Sequence, residues 1–177
     1  MLNGSLMVAT QNKELIYEYL SEVTDPEIPV VNIIEMGMVR DVVCTKDEVE
    51  VFLCPTYSGC PAMDMIDILV KEKLHENGFG TVKVTLVYKP AWTTDWMSSE
   101  TKEKLRVYGI APPEGSSLSK KDLLNEGAVS CPQCGSKNTD IKSMFGSTAC
   151  KAFYTCKDLA LIPISEPTRR RGTSYAV

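Results

Sequence analysis

Seven cysteines against a single histidine, His75, most limit what this chain can be. The thiols stand at Cys44, Cys54, Cys60, Cys131, Cys134, Cys150 and Cys156. An odd count forbids a complete intrachain disulfide framework. Clustered thiols in a reducing compartment read instead as metal ligands or reactive groups. One imidazole excludes any site built on two or more. The remaining composition is ordinary: 177 residues, 44% hydrophobic and 24% charged, describe a globular chain able to bury a core. A net charge of −4 argues against a nucleic-acid partner, which calls for a basic face. No stretch approaches the ~20 apolar residues of a membrane span. Met1 to Thr10 lack the basic-then-apolar plan of a secretory signal, so a cytoplasmic location is expected.

Periodicity divides the chain. Leu15, Ile16, Tyr19, Leu20 and Val23 recur at helical spacing, and Asp25-Pro26 ends that helix because proline disfavours helical geometry in the residue before it. Met38 to Val43 and Val49 to Leu53 predict strands joined by a hairpin connection at Cys44-Thr45-Lys46-Asp47. Pro61 to Asn77 predicts a helix with Ala62, Met65, Ile66, Leu69 and Leu74 inward, ended by Gly78 and Gly80. Thr81 to Tyr88 reads as a strand. Ser98 or Ser99 caps a last helix that runs to Tyr108 and stops at Gly109. The order α-β-β-α-β-α predicts an α+β fold, a small mixed sheet with helices packed on it, over residues 1–110. Two prolines and a Gly-Ser-Ser run make 111–127 a linker. A cysteine-rich segment follows over 128–158, and the tail 159–177 has a different character.

Two cysteine motifs carry chemistry. In Cys54-Pro55-Thr56-Tyr57-Ser58-Gly59-Cys60-Pro61, the proline suits the first helical position. That places Cys60 at the helix N-cap, where N–H groups and the macrodipole favour an anion and lower a thiol's pKa. Thr56, Tyr57 and Ser58 offer hydroxyls. Two readings stand: a working thiol, or a small buried cysteine at a strand–helix turn. His75 is not its base, because fifteen helical residues separate them by roughly 22 Å and a dyad needs hydrogen-bond reach. Cys44 and Cys54 are expected in the core. The second motif, Cys131-Pro132-Gln133-Cys134-Gly135-Ser136, is a zinc-knuckle pattern, two sulfurs on two tetrahedral corners. The alternative is a chance C-x-x-C in a surface turn. Cys150 and Cys156 follow, but a ribbon wants a second C-x-x-C, and Leu159 stands where its last cysteine belongs.

Several segments together resemble a known family. Asp25-Pro26-Glu27-Ile28-Pro29, Glu35-Met36-Gly37-Met38-Val39 and Thr56-Tyr57-Ser58-Gly59-Cys60-Pro61 resemble the iron–sulfur-assembly domain shared with SufT-like proteins. Pro90-Ala91-Trp92-Thr93-Thr94-Asp95-Trp96-Met97-Ser98, Tyr108-Gly109-Ile110-Ala111-Pro112-Pro113 and Phe145-Gly146-Ser147-Thr148-Ala149-Cys150-Lys151 narrow the resemblance to the PaaD family. These are accessory subunits of bacterial phenylacetyl-CoA epoxidase systems, and the match covers residues 12–158.

The resemblance implies a role in aerobic phenylacetate breakdown. There a multicomponent oxygenase epoxidises the ring of phenylacetyl-CoA, using a di-iron component and a reductase with flavin and a 2Fe–2S cluster. Family members help mature or repair that machinery and are not catalytic alone. By the same likeness Cys60 is the key cysteine, Asp25 and Glu27 form an acidic motif, and Thr56, Ser58 and Asp95 fall in polar motifs. Cys131, Cys134 and Cys156 match ribbon cysteines, with Cys150 a substitute for the missing one. The implied cofactor is structural zinc, with iron or an iron–sulfur cluster as transient cargo. The implied partners are the oxygenase and reductase components, or a second copy of the chain. The competing reading is a zinc-ribbon adapter that scaffolds oxygenase subunits. A true epoxidase or hydrolase is disfavoured, since neither a Glu/His di-iron set nor a Cys–His dyad is present.

The resemblance stops at Leu159. The tail's three arginines against Glu166 make it +2 in an acidic chain. Its sequence is that expected of a frameshift or read-through extension; a divergent disordered tail is the alternative.

Overall fold

The computed structural model describes residues 13–45, 48–112, 129–143, 151–159 and 162–167. Residues 1–12, linker residues 113–127, Cys150 with the motif leading to it, and tail residues 168–177 lie outside them. The chain divides into two compact units, 1–92 and 93–177. No helix among the described residues is long and apolar enough to cross a membrane.

The first unit follows the expected element order. It contains helix α1 (13–20), strands β1 (Val39–Cys44) and β2 (Glu48–Leu53), helix α2 (Ala62–Glu76) and strand β3 (Thr81–Leu86). The sheet order is β1-β2-β3, antiparallel in the first pair and parallel in the second. The short connection after Cys44 serves the antiparallel pair, whereas the parallel pair needs a crossover, which α2 supplies. Along β2 the side chains alternate, with Val49, Val51 and Leu53 buried. Ile16 and Leu20 of α1, with Ile66, Val70 and Leu74 of α2, complete the core. Trp92 donates its indole N–H to the Met36 carbonyl at 2.7 Å, tying the end of the unit to the turn before β1.

Three local expectations need correction. The buried stripe of α2 is Ala62, Met63, Ile66, Val70 and Leu74, while Met65 is 48% exposed and Leu69 only half-buried. The helix is rotated because Met63, Met65, Ile66, Ile68, Leu69 and Val70 make it apolar nearly all round, so spacing alone does not choose a face. Cys44 is not a core residue: it ends β1 half-exposed, whereas Cys54 is fully buried as expected. Gly78 ends α2 at φ +86°, donating to the His75 carbonyl while Phe79 donates to that of Leu74. That pair of bonds closes the helix without Gly80.

The second unit contains a 3-10 turn (Thr94–Trp96), helix α3 (Ser99–Val107) and strands β4 (Thr139–Ser143), β5 (Lys151–Cys156) and β6 (Ile162–Pro167). Ser98 caps α3 by accepting the Thr101 N–H at 3.0 Å. The strands form an antiparallel sheet in the order β4-β5-β6. Six residues of β6, drawn from the divergent tail, pair with β5. Ala111, Val129, Cys131, Tyr154, Cys156 and Ile164 build this unit's core, and Leu159 packs against it. Residues 162–167 therefore form a strand, unlike the disordered tail of the alternative reading, whereas the expectation of a frameshift or read-through extension concerns the gene and not the fold.

Candidate cysteine sites

The first site forms where β2 runs out. Leu53 ends the strand, and Thr56 to Cys60 form the loop into α2, with Gly59 at φ +83°, a backbone conformation that favours glycine. Thr56 is buried, Ser58 exposed and Cys60 half-buried. Pro61, not Cys60, takes the N-cap position of α2, in helical geometry and with no side-chain cap bond. The expected drop in the Cys60 pKa is reversed. Burial pushes the thiol up, and the Glu27 and Asp25 carboxylates push the same way. The Ala62 N–H and the Tyr57 hydroxyl oppose them without prevailing. At neutral pH this cysteine therefore rests as the thiol.

The acids are held by the loop after α1. Asp25 is 7% exposed, and its Oδ1 accepts the N–H groups of Glu27 and Ile28, both at 2.8 Å. One oxygen of Asp25 thus shapes the loop while its charge acts on Cys60. Asp95 belongs to the second unit, exposed in the 3-10 turn, where Thr93 donates its hydroxyl to it at 3.1 Å. His75 lies exposed near the end of α2, its Nδ1 2.9 Å from the Phe79 carbonyl.

The second site is a cluster of three sulfurs. Cys131, Cys134 and Cys156 have their Sγ atoms within 4.8 Å of one another, with Cys134 and Cys156 3.7 Å apart. Tetrahedral Zn–S bonds of about 2.3 Å place sulfurs about 3.8 Å apart, so the spacing fits a metal centre. The knuckle turn is closed by Gly135, φ +73°, which donates to the Cys131 carbonyl at 2.8 Å. Burial opposes ionisation of Cys131, but the N–H groups of Cys134 and Gln133 point at its sulfur and hold its pKa below the usual range, while the neighbouring sulfurs push Cys134 the other way, so the cluster favours one thiolate first. A thiolate-stabilising turn is the chemistry of a metal ligand. Asp158, which no motif in the sequence singles out, accepts the Ser136 hydroxyl and the Asn138 amide, the latter at 2.7 Å. It pins the turn after Cys156 to the knuckle; the polar run after Cys134 is its only signal.

Comparison with known proteins falls on the same division. Residues 13–87 match the iron–sulfur cluster assembly protein family, and residues 115–158 match the PaaD zinc beta ribbon domain. The chain is 48% identical over 141 residues to an Escherichia coli (strain K12) protein whose name makes it a component of 1,2-phenylacetyl-CoA epoxidase. That match covers 80% of this chain and 84% of the relative. It is 37% identical over 97 residues to a Porphyromonas gingivalis (strain ATCC BAA-308 / W83) Fe-S protein maturation auxiliary factor, covering 54% of this chain and 91% of the relative. A solved Bacillus anthracis structure, a domain of unknown function DUF59, aligns at TM-score 0.54 and 29% identity, covering 56% of this chain and 96% of that one.

Proposed function

The chain belongs to the PaaD family of phenylacetyl-CoA epoxidase components, and from that membership we propose that it matures the metal centres of a multicomponent epoxidase. Ring oxidation itself falls to the other components, the oxygenase and its reductase. The observation that carries this reading is the setting of Cys60, a half-buried thiol under the negative field of Glu27 and Asp25. Burial, with these charges adding to it, keeps the proton on sulfur and suits a nucleophile poorly. The negative field suits a cation well: an arriving iron ion is drawn by the carboxylates and displaces the thiol proton. Among the described residues only the ribbon cysteines converge at ligand spacing, so Cys60 with the acids' field behind it would hold a cation loosely, as suits cargo that must leave again.

The ribbon metal is proposed to be zinc, held by Cys131, Cys134 and Cys156, with a structural role. The self-contained core behind these sulfurs supports a second reading, in which the ribbon is an adapter and Cys60 only packs. One experiment separates them. The epoxidase components are coexpressed with Cys60→Ala, and iron in the purified oxygenase and reductase is measured alongside capture of those components by the tagged chain. The maturation reading expects iron to fall while capture persists. Full iron content would falsify it. Loss of capture in Cys131→Ala, with iron loading unaffected by Cys60→Ala, selects the adapter.

A further inference from the structure

The ribbon carries a conclusion independent of Cys60. Like turns follow Cys131 and Cys156, at residues 132–134 and 157–159. The first turn ends on Cys134, the second on Leu159. Leu159 has no donor atom and packs against the apolar core of the unit. Asp158 beside it is engaged through both carboxylate oxygens, by Ser136 and Asn138. Among the described residues, three sulfurs form the donor set, and Cys134 lies exposed at its edge.

We propose that this ribbon holds its metal ion on three thiolates, Cys131, Cys134 and Cys156, and leaves the fourth position to solvent. Water fills that position, and a small thiol replaces it where one is present. Structural zinc sites are ordinarily closed by four protein ligands, so an ion that braces this ribbon on three keeps one exchangeable position. Entry of a thiol is ligand exchange without electron transfer. The metal–oxygen bond breaks, water leaves, the thiol proton passes to solvent and a metal–sulfur bond forms. The ribbon metal is thereby open to exchange, unlike a closed four-sulfur knot.

The test loads the full chain with Co(II) and follows its thiolate-to-cobalt absorption. Adding 2-mercaptoethanol is expected to raise that band by about a third, as three sulfurs become four. In Leu159→Cys the thiol response vanishes, and zinc is held at least about tenfold tighter against a chromogenic chelator, since gaining a direct ligand outweighs an outer-shell contact. If Leu159→Cys fails to fold, the wild-type titration decides alone. A four-thiolate spectrum without added thiol, lost in Cys150→Ser, would overturn the proposal by showing that Cys150 closes the site. Absence of any cobalt–thiolate band would overturn it as well. None of these readouts depends on iron delivery by Cys60.

Discussion

The sulfurs of Cys134 and Cys156 lie 3.7 Å apart, although 22 positions separate the residues in the chain. β4 and β5 bring them together, so their convergence is a property of the sheet and not of the turn. The two cysteines differ in burial: Cys156 is fully buried in the core, Cys134 exposed. Both substitutions to serine are expected to abolish metal uptake, measured as bound zinc per chain. They should separate in the metal-free protein. Cys156→Ser places a hydroxyl in an apolar core at a cost of about 1–3 kcal/mol, whereas Cys134→Ser leaves urea unfolding unchanged. Equal losses in the metal-free state would contradict this division of roles.

Asp25 has two roles that substitution can separate. Its Oδ1 accepts two backbone N–H groups, and its charge bears on Cys60. Asp25→Asn keeps an acceptor oxygen and removes the charge; Asp25→Ala removes both. The alanine variant is expected to lose about 1–2 kcal/mol of stability, and the asparagine variant much less. If both unfold at the same denaturant concentration, the loop bonds do not hold the turn.

The raised pKa of Cys60 predicts its reactivity. Alkylation by iodoacetamide requires thiolate, so at neutral pH Cys60 should react more slowly than an unhindered peptide cysteine. Its rate should climb only as pH rises past the ordinary thiol range. The shift is upward and its causes are burial, then the negative charges of Glu27 and Asp25. Asp25→Asn removes one of those charges and should move the rate profile to lower pH. A rate profile centred below that of a free thiol would refute the geometry assigned to this site. Mass spectrometry of the modified peptide distinguishes Cys60 from the other cysteines.

How far the sequence foretells this follows from the range of each interaction. The element order of the first unit and the Ser98 cap depend on neighbours within a turn or two, and both are legible. The face of α2 is not, because Met65 and Val70 are equally apolar and only the opposing sheet decides between them. The Cys60 pKa carries the opposite sign to the one its motif suggests. Pro61 points to a helix-terminus thiolate, but burial, set by the fold, opposes ionisation, and so do Asp25 and Glu27, distant in the chain. Asp158 is hidden in the sequence because its partners, Ser136 and Asn138, lie across a hairpin.

The tail gives the sharpest test of a sequence inference against the fold. Composition marks residues from Leu159 onward as foreign to the family pattern, yet β6 pairs with β5 over six residues. Ile164 is 1% exposed, and the Ala111 N–H donates to the Ser165 carbonyl at 2.7 Å. Pro163 and Pro167 are tolerable there because β6 is an edge strand, where a missing donor can face outward. Deleting residues 159–177 therefore strips β5 of a partner and uncovers the core around Tyr154 and Cys156. Ile164→Ala alone is expected to cost about 2–5 kcal/mol, as for other buried large-to-alanine changes. The deletion should do more, leaving the β5 amides open to hydrogen exchange and the protein prone to associate through the bare edge. Hydrogen exchange read by mass spectrometry on peptides spanning 151–156 measures the effect. Full protection of β5 in the deletion variant would mean that the strand stands without the tail, and that the extension is dispensable to the ribbon.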